Sequence, residues 1–186
     1  MGVEIEAKVK MEDLPGAAKR LAALGAEHAD DFAHVDIYYG GGGGMIKRGC
    51  GLRLRRERGR SGEKVWLTYK GPKEKGRFKT RKELEVEVGD GSAMDELLEE
   101  IGLRRELVIE KRRSLWVYKG CKVCLDELPL LGGFVEVEGE GEAVIAKVLE
   151  DLGFEALEHI NEGYACLVRR RLEESGAAGR RAVFER

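Results

Sequence analysis

The sequence predicts an α+β protein in which an antiparallel sheet closes on itself as a β-barrel, with amphipathic helices packed against its outer, apolar side. Three observations carry that expectation. First, apolar and charged residues alternate without a break through Val3-Glu4-Ile5-Glu6-Ala7-Lys8-Val9-Lys10, the two-residue period of a strand whose side chains point to opposite faces. Second, three acid-alternating strands (3–10, 83–88 and 134–138) are each followed by an amphipathic helix and a Leu-Gly or Ile-Gly stop, a weak internal repeat. The helices need an apolar surface, and the apolar strand faces supply it, which leaves the charged faces on the other side of the sheet. Third, those charges are sorted. Acids concentrate in the first, fifth and last strands, whereas the strands between carry Arg53, Arg55, Lys70, Lys111, Arg113 and Lys122. An open sheet with one face in water is the alternative, but a solvated face usually mixes its signs, so the sorting favours closure around a charged interior.

Each element follows in order. After the first strand, Leu14, Ala17, Ala18, Leu21 and Leu24 recur at helical spacing and Gly25 stops the helix. A strand over about 28–39 sets Val35, Ile37 and Tyr39 against Asp36 and Tyr38. The five-glycine run Gly40–Gly44 is too flexible for an element interior, so 40–51 reads as a mobile loop. Strands at about 52–58 and 64–70 follow, the second ended by Gly71-Pro72. Residues 78–88 alternate again, with Arg81, Glu83, Glu85 and Glu87 on one face. A second helix, about 92–101, shows Met94, Leu97, Leu98 and Ile101 as its apolar stripe and Ser92 with Asp95 as a weak capping box, and stops at Gly102. Strands over 104–118, 121–127 and 134–138 come next, then a helix with Val144, Ile145, Val148, Leu149 and Leu152 that stops at Gly153. A short helix is expected over 162–174. One domain, 1–174, and a poorly ordered tail, 175–186, complete the chain.

Composition limits the function. In 186 residues with 42% hydrophobic and 37% charged content, one sizeable core suffices. Lys+Arg 33 against Asp+Glu 35 leaves a net charge of −2, so no global field exists to hold a nucleic-acid backbone, and nucleic acid is not an expected partner. No apolar run is long enough to cross a bilayer, strand sequence begins at once, and Glu6 stands where a myristoylation motif wants Ser or Thr, so the expected location is the cytoplasm. Cys121 and Cys124 form a lone C-x-x-C whose offset in a strand sends the two thiols to opposite faces, which argues against zinc or redox work. His28, His34 and His159 share no spacing with a nucleophile and read as structural or surface residues. Trp66 and Trp116 read as packing residues.

The charged face has chemistry of its own. With about 3.3 Å of rise per residue, Glu4 and Glu6 stand roughly 7 Å apart on one face, where both can reach hard divalent cations, with Lys8 beside them. A closed interior lined this way needs ligands, because unpaired buried charges are costly. Cations against the carboxylates and a polyanion against the Lys and Arg groups resolve both costs. The implied ligand is a metal-bound phosphate chain.

The same residues make the chain resemble the CYTH superfamily, the triphosphate tunnel metalloenzymes that include class IV adenylyl cyclases and thiamine triphosphatases. The resemblance covers about 3–168. It runs through Glu4, Glu6 and Lys8, then Asp36-Ile37-Tyr38-Tyr39, Leu52-Arg53-Leu54-Arg55, Leu67-Thr68-Tyr69-Lys70-Gly71-Pro72 and Arg81-Lys82-Glu83. Lys111-Arg112-Arg113, Leu125-Asp126-Glu127 and Gly132-Gly133-Phe134-Val135-Glu136-Val137-Glu138 complete it. It implies an eight-stranded antiparallel tunnel, open at its ends. It also implies Mg²⁺ or Mn²⁺ on Glu4, Glu6, Glu136 and Glu138 with Asp126 beside them, and a triphosphate gripped by Lys8, Arg53, Arg55, Lys70, Lys111 and Arg113, with Arg81 and Glu83 also lining the tunnel.

Phosphoanhydride chemistry is mostly positioning and charge neutralisation. Glu6 or an uncharged Lys70 is a candidate base, with Lys8 at the same site, and spacing alone does not choose between them. The Thr-Tyr-Lys-Gly-Pro and Leu-Asp-Glu…Phe-Val-Glu-Val-Glu segments look most like the class IV cyclase branch, which turns ATP into cyclic AMP and pyrophosphate. Hydrolysis of thiamine triphosphate or inorganic triphosphate ranks second, and a non-catalytic triphosphate-binding module third. The expected partner is a small-molecule triphosphate, and the expected assembly is a monomer or homodimer.

Overall fold

The computed structural model describes residues 2–41, 49–74, 76, 78–176 and 180–185. The elements run β1 (Gly2–Lys10), α1 (Leu14–Ala23), β2 (Glu27–Gly40), β3 (Gly51–Gly59), β4 (Gly62–Glu74), β5 (Lys79–Glu87) and α2 (Gly91–Glu100). They continue with β6 (Arg104–Tyr118), β7 (Cys121–Leu128), β8 (Gly132–Gly139), α3 (Glu142–Asp151), α4 (Tyr164–Glu174) and β9 (Arg181–Ala182). Strands β1 to β8 form a ring in the order β2-β3-β4-β5-β1-β8-β7-β6, and β2 pairs with β6 along most of its length to close it. Every pair in the ring is antiparallel, so this is the expected eight-stranded closed barrel, and closure removes the exposed strand edges an open sheet would carry.

Alternation then decides what each face meets. The outward residues Ala7 and Val9 of β1, Cys121, Val123 and Leu125 of β7, and Val135 and Val137 of β8 pack with Ala17 and Leu21 of α1 and Ile145, Val148 and Leu149 of α3. Tyr39 and Leu54 pack outward against Leu98 of α2. The three Leu-Gly or Ile-Gly stops share one geometry. Gly25, Gly102 and Gly153 all take positive φ, and the amide of the following residue reaches back to close the helix: Ala26 to Leu21, Leu103 to Leu98 and Phe154 to Leu149. Between β6 and β7, Lys119 and Gly120 both have φ > 0, the two-residue hairpin turn whose twist suits paired strands.

Several expectations need correction. Gly71 and Pro72 do not end β4 but lie inside it, at a register shift between Lys70 and Lys73 where the missing N–H breaks no ladder pair. Asp90, not Ser92, caps α2, accepting from the Ser92 and Ala93 amides. The buried face of α2 is Gly91, Asp95 and Leu98, whereas Leu97 and Ile101 of the expected stripe are exposed. Asp95 is buried because it accepts from Tyr39 Oη and from both forks of Arg105. The expected mobile loop at 40–51 falls mostly outside the described residues, which omit 42–48. Within 175–186, a stretch expected to be poorly ordered, Arg181–Ala182 form β9 in parallel to β6, with Val108 N donating to Arg180 O at 2.8 Å and Phe184 N to Glu110 at 2.9 Å.

Nor does α4 pack outside. Its buried residues Leu167, Val168 and Leu172 cluster with Leu107 and Ile109 of β6, Leu128 of β7 and Phe134 of β8. Those four strand positions share the inward parity of Lys111, Asp126 and Glu136, so α4 lies across one end of the barrel rather than leaving both ends open.

Candidate active site

The inward side chains of the eight strands and the first turn of α4 enclose a cavity of about 860 Å³. Its lining changes along the axis. On β6 the inward positions pass from Leu107 and Ile109 under α4, through Lys111 and Arg113, to Leu115; on β2 they pass from Tyr38 to Phe32. The mouth away from α4 is therefore bordered by Phe32, Trp66 and Leu115. Trp66, expected as a packing residue, faces the cavity and donates Nε1 to Glu57.

The acids gather where β1 lies between β5 and β8. Register puts Glu6 opposite Glu138 and Lys8 opposite Glu136. One oxygen each of Glu4, Glu6 and Glu138 lies within 4.8 Å of the others. Carboxylates this close repel, and burial pushes the Glu4 and Glu138 carboxyls above their ordinary range, with Glu83 adding to the effect at Glu4. Lys70 offsets part of it, reaching Glu83 at 2.7 Å and Glu4 at 3.3 Å. Three hard oxygen donors converging without enough cationic partners fit a divalent ion such as Mg²⁺ or Mn²⁺.

The other two expected metal acids are engaged differently. Glu136 takes Lys8 at 3.2 Å and Arg113 at 2.5 Å; burial works against its charge, but Lys8, Arg113 and Lys111 outweigh it and hold the carboxyl well below its ordinary range. Asp126, with no exposed surface, accepts from Lys111 at 3.0 Å, from both forks of Arg113 at 2.6 Å and from Tyr164 Oη at 2.9 Å.

The basic wall is held by carboxylates in the same way. Asp36 receives Arg55 in a bidentate pair, Nε at 2.6 Å and Nη2 at 2.8 Å, with Arg53 Nη1 at 3.7 Å. Burial opposes the Asp36 charge, yet Arg55 and Arg53 keep its carboxyl far below the ordinary range. Arg53 is further fixed by Thr68, which itself donates to Glu85 at 2.7 Å. Burial, reinforced by Arg113, brings the Lys111 pKa down to about 8. Lys8 and Lys111 lie under the Tyr164 ring, 3.9 and 5.1 Å from its centroid, and Lys8 Nζ also donates to Glu162 O at 2.8 Å.

Thus Glu4, Glu6, Lys8, Arg53, Arg55, Lys70, Arg81, Glu83, Lys111, Arg113, Glu136 and Glu138 all line one cavity, while Asp126 lies beneath its wall. Sequence reasoning missed Lys79, which pairs with Glu6 from the neighbouring strand. Its signal was available, since Lys79 shares the parity of Arg81. It also missed Asp36 as the anchor of two arginines; His34, read as structural or surface, is buried inside the wall with Nε2 3.0 Å from Glu57. Tyr164 carried no signal, because helix periodicity does not say which end of a barrel a helix covers. Cys121 and Cys124 do point to opposite faces, one into the outer core and one into the cavity.

A closed antiparallel barrel that holds a carboxylate cluster against an arginine-rich wall is a tunnel protein with an ionised interior. The chain belongs to the CYTH domain family, whose model matches residues 2–164. It is 30% identical over 161 residues to a Methanocaldococcus jannaschii protein named as a putative adenylate cyclase, covering 81% of this chain and 87% of that one. Among solved structures, the PH1819 protein of Pyrococcus horikoshii superposes with a TM-score of 0.78 at 31% identity, over 90% of this chain and 99% of that one. A Hippeastrum protein, described as an adenylyl cyclase candidate with a dominant triphosphatase activity, shares the fold with a TM-score of 0.65 at 18% identity, over 95% and 96% of the two chains.

Proposed function

We propose that the protein is a divalent-metal-dependent enzyme of triphosphates that converts ATP to cyclic AMP and pyrophosphate. The observation that carries the metal and phosphate chemistry is the convergence of Glu4, Glu6 and Glu138 in the same cavity as Lys8, Arg53, Arg55, Lys111 and Arg113. A bound Mg²⁺ or Mn²⁺ would neutralise phosphate oxygens and lower the barrier to attack at phosphorus. The chain's own groups do the rest. Arg53, Arg55 and Arg113, held by Asp36, Asp126 and Glu136, are preorganised donors for the charge that develops on the phosphates. Lys8, Lys70 and Lys111 add point charges. In cyclisation the ribose 3′-oxygen bonds to the α-phosphorus, the bond from that phosphorus to the bridging oxygen breaks, pyrophosphate leaves, and the hydroxyl proton passes to a base. The base is Glu6, paired with Lys79, or Lys70, held between Glu4 and Glu83. The cyclase assignment is supported by the named Methanocaldococcus relative and by an apolar mouth of Phe32, Trp66 and Leu115 suited to an organic group. Hydrolysis of the terminal phosphate is the second reading, favoured by the activity described for the Hippeastrum protein.

The deciding experiment incubates pure protein with Mg²⁺ or Mn²⁺ and ATP, thiamine triphosphate or inorganic triphosphate, and identifies products. Cyclic AMP with pyrophosphate is expected, and no turnover in excess chelator. ADP with phosphate, or far faster cleavage of inorganic triphosphate, overturns the cyclase in favour of the hydrolase. Full turnover in chelator overturns the metal dependence.

A further inference from the structure

Among the described residues, Arg81 is the buried cation of this cavity that the protein leaves without a counter-ion. It is 8% exposed and its Nε is buried without a partner, and among the described residues no hydrogen bond or ion pair engages its guanidinium. A buried charge in that state is costly unless a ligand supplies the counter-charge. The guanidinium lies against the start of α4: Nη2 is 3.7 Å from where a Cβ on Gly163 would stand. Gly163 is the N-cap of α4 and makes no side-chain cap bond. The Cys166 and Leu167 amides both turn back to Gly163 O, which leaves the Tyr164 and Ala165 amides of the first turn without an acceptor inside the helix. The positive end of an eleven-residue helix thus meets an unpaired guanidinium. Lys73, the register partner of Arg81 on β4, lines the same part of the cavity. Burial lowers the Lys73 pKa, and Lys79 and Arg81 add to the effect. The carboxylate closest in sequence to α4's start, Glu162, is turned to Arg170 at 2.9 Å.

These groups make an anion site at the α4 end of the tunnel, beside the carboxylate cluster, since Arg81 faces Glu4 in the β1–β5 register. We propose that Arg81, Lys73 and the first-turn amides of α4 seat the terminal phosphoryl group of the substrate, so that the phosphate chain points toward α4 and any organic group rests at the mouth bordered by Phe32, Trp66 and Leu115. The inference rests on the triphosphate reading above and goes beyond it in assigning direction and length. A diphosphate held by the central arginines stops short of Arg81, whereas a triphosphate reaches it. The pocket is then what distinguishes three phosphates from two, in inorganic and nucleoside substrates alike.

Calorimetric binding of inorganic triphosphate, pyrophosphate, ATP and ADP, each with Ca²⁺, tests this in the wild type and in the Arg81→Gln, Lys73→Ala and Arg113→Ala variants. The wild type should prefer each triphosphate over its diphosphate by at least about tenfold, the scale of one charge-assisted contact. Arg81→Gln and Lys73→Ala should remove most of that preference by weakening inorganic triphosphate and ATP, leaving pyrophosphate and ADP within about twofold. Arg113→Ala should weaken all four. Arg81→Gln should unfold at or above the wild-type temperature, since it removes an unpaired buried charge. Equal weakening of tri- and diphosphates by Arg81→Gln, or none, overturns the proposed seat while leaving the triphosphate reading intact. A response to ATP but not to inorganic triphosphate would also overturn it. If the wild type binds none of the four, the triphosphate reading falls, and this inference with it.

Discussion

The two sides of the tunnel solve the problem of buried charge in opposite ways. Where β2, β3, β6 and β7 meet, the two most buried carboxylates are already matched: Asp36 holds Arg55 and Arg53, and Asp126 holds Lys111, Arg113 and Tyr164. Where β1 meets β8, Glu4, Glu6 and Glu138 crowd together, and burial drives the Glu4 and Glu138 carboxyls toward protonation. The first side is finished by folding. The second is matched only in part, with Lys70 reaching Glu4 and Lys79 pairing with Glu6 while three carboxylates still share one spot. A wall whose ion pairs are complete holds its arginines in place at no further cost of reorganisation when charge develops on a substrate. An unmatched cluster gains affinity for a cation from the repulsion that binding relieves.

The contrast can be broken by removing a partner on the finished side. Asp36→Asn strands two buried guanidinium groups and should cost about 3–5 kcal/mol of folding stability, read from denaturant unfolding at neutral pH. The pH dependence gives the sign. The Asp36 carboxyl is depressed in the folded state, so its stabilisation is present above the unfolded value of 3.8 and is lost as pH falls below it. The gap between wild type and Asp36→Asn should therefore narrow as acid is added, and a gap that widens in acid would contradict the pairing.

Next in size is the chemistry of the finished side. Arg113→Ala should cost roughly 2–4 kcal/mol of transition-state stabilisation in kcat/KM, the scale for one preorganised charge donor. A near-wild-type rate would move the phosphate site elsewhere. The smallest effect sharpens the contrast from the unfinished side. Glu138→Gln should stabilise the metal-free protein by roughly 1 kcal/mol, the scale of a like-charge pair relieved across strands, and should blunt the rise in Tm that Mg²⁺ or Mn²⁺ gives the wild type. Thermal unfolding with and without chelator reads both, and destabilisation by Glu138→Gln in chelator would mean the cluster is already satisfied by the fold.

Much of this was legible in the chain because a barrel has two faces and a strand has a period of two. The alternation around Glu4, Glu6 and Lys8 fixed which residues face inward, and the three Gly stops at 25, 102 and 153 marked where helices return to the sheet. What could not be read is who partners whom. Glu136 and Glu138 look equivalent in Glu136-Val137-Glu138, yet Arg113, reaching across β7 from β6, lies 2.5 Å from the first and 4.0 Å from the second. Nor could the α4 stretch reveal its seat, since an apolar stripe of Leu167, Val168 and Leu172 would suit the outer wall as well as the barrel end. The α2 stripe misled for the reverse reason: Asp95, polar by type, is buried through its bonds to Tyr39 and Arg105.

The seam between β2 and β6 also bears on how the chain reaches this state. Residues such as Asp36 and Ile109 must find each other across the whole of β3, β4, β5 and α2, and β1 must wait for β8, whose Glu138 pairs with Glu6. Sheets assembled from such distant partners fold on the order of milliseconds to seconds, because loop-closure entropy is lost before the late contacts repay it. During synthesis β1 and β2 leave the ribosome before β8 and β6, the partners that complete them. Until β6 and β8 arrive, both strands present unpaired backbone edges, and the alternating lysines and glutamates of β1 are then what keep a nascent edge from recruiting another copy.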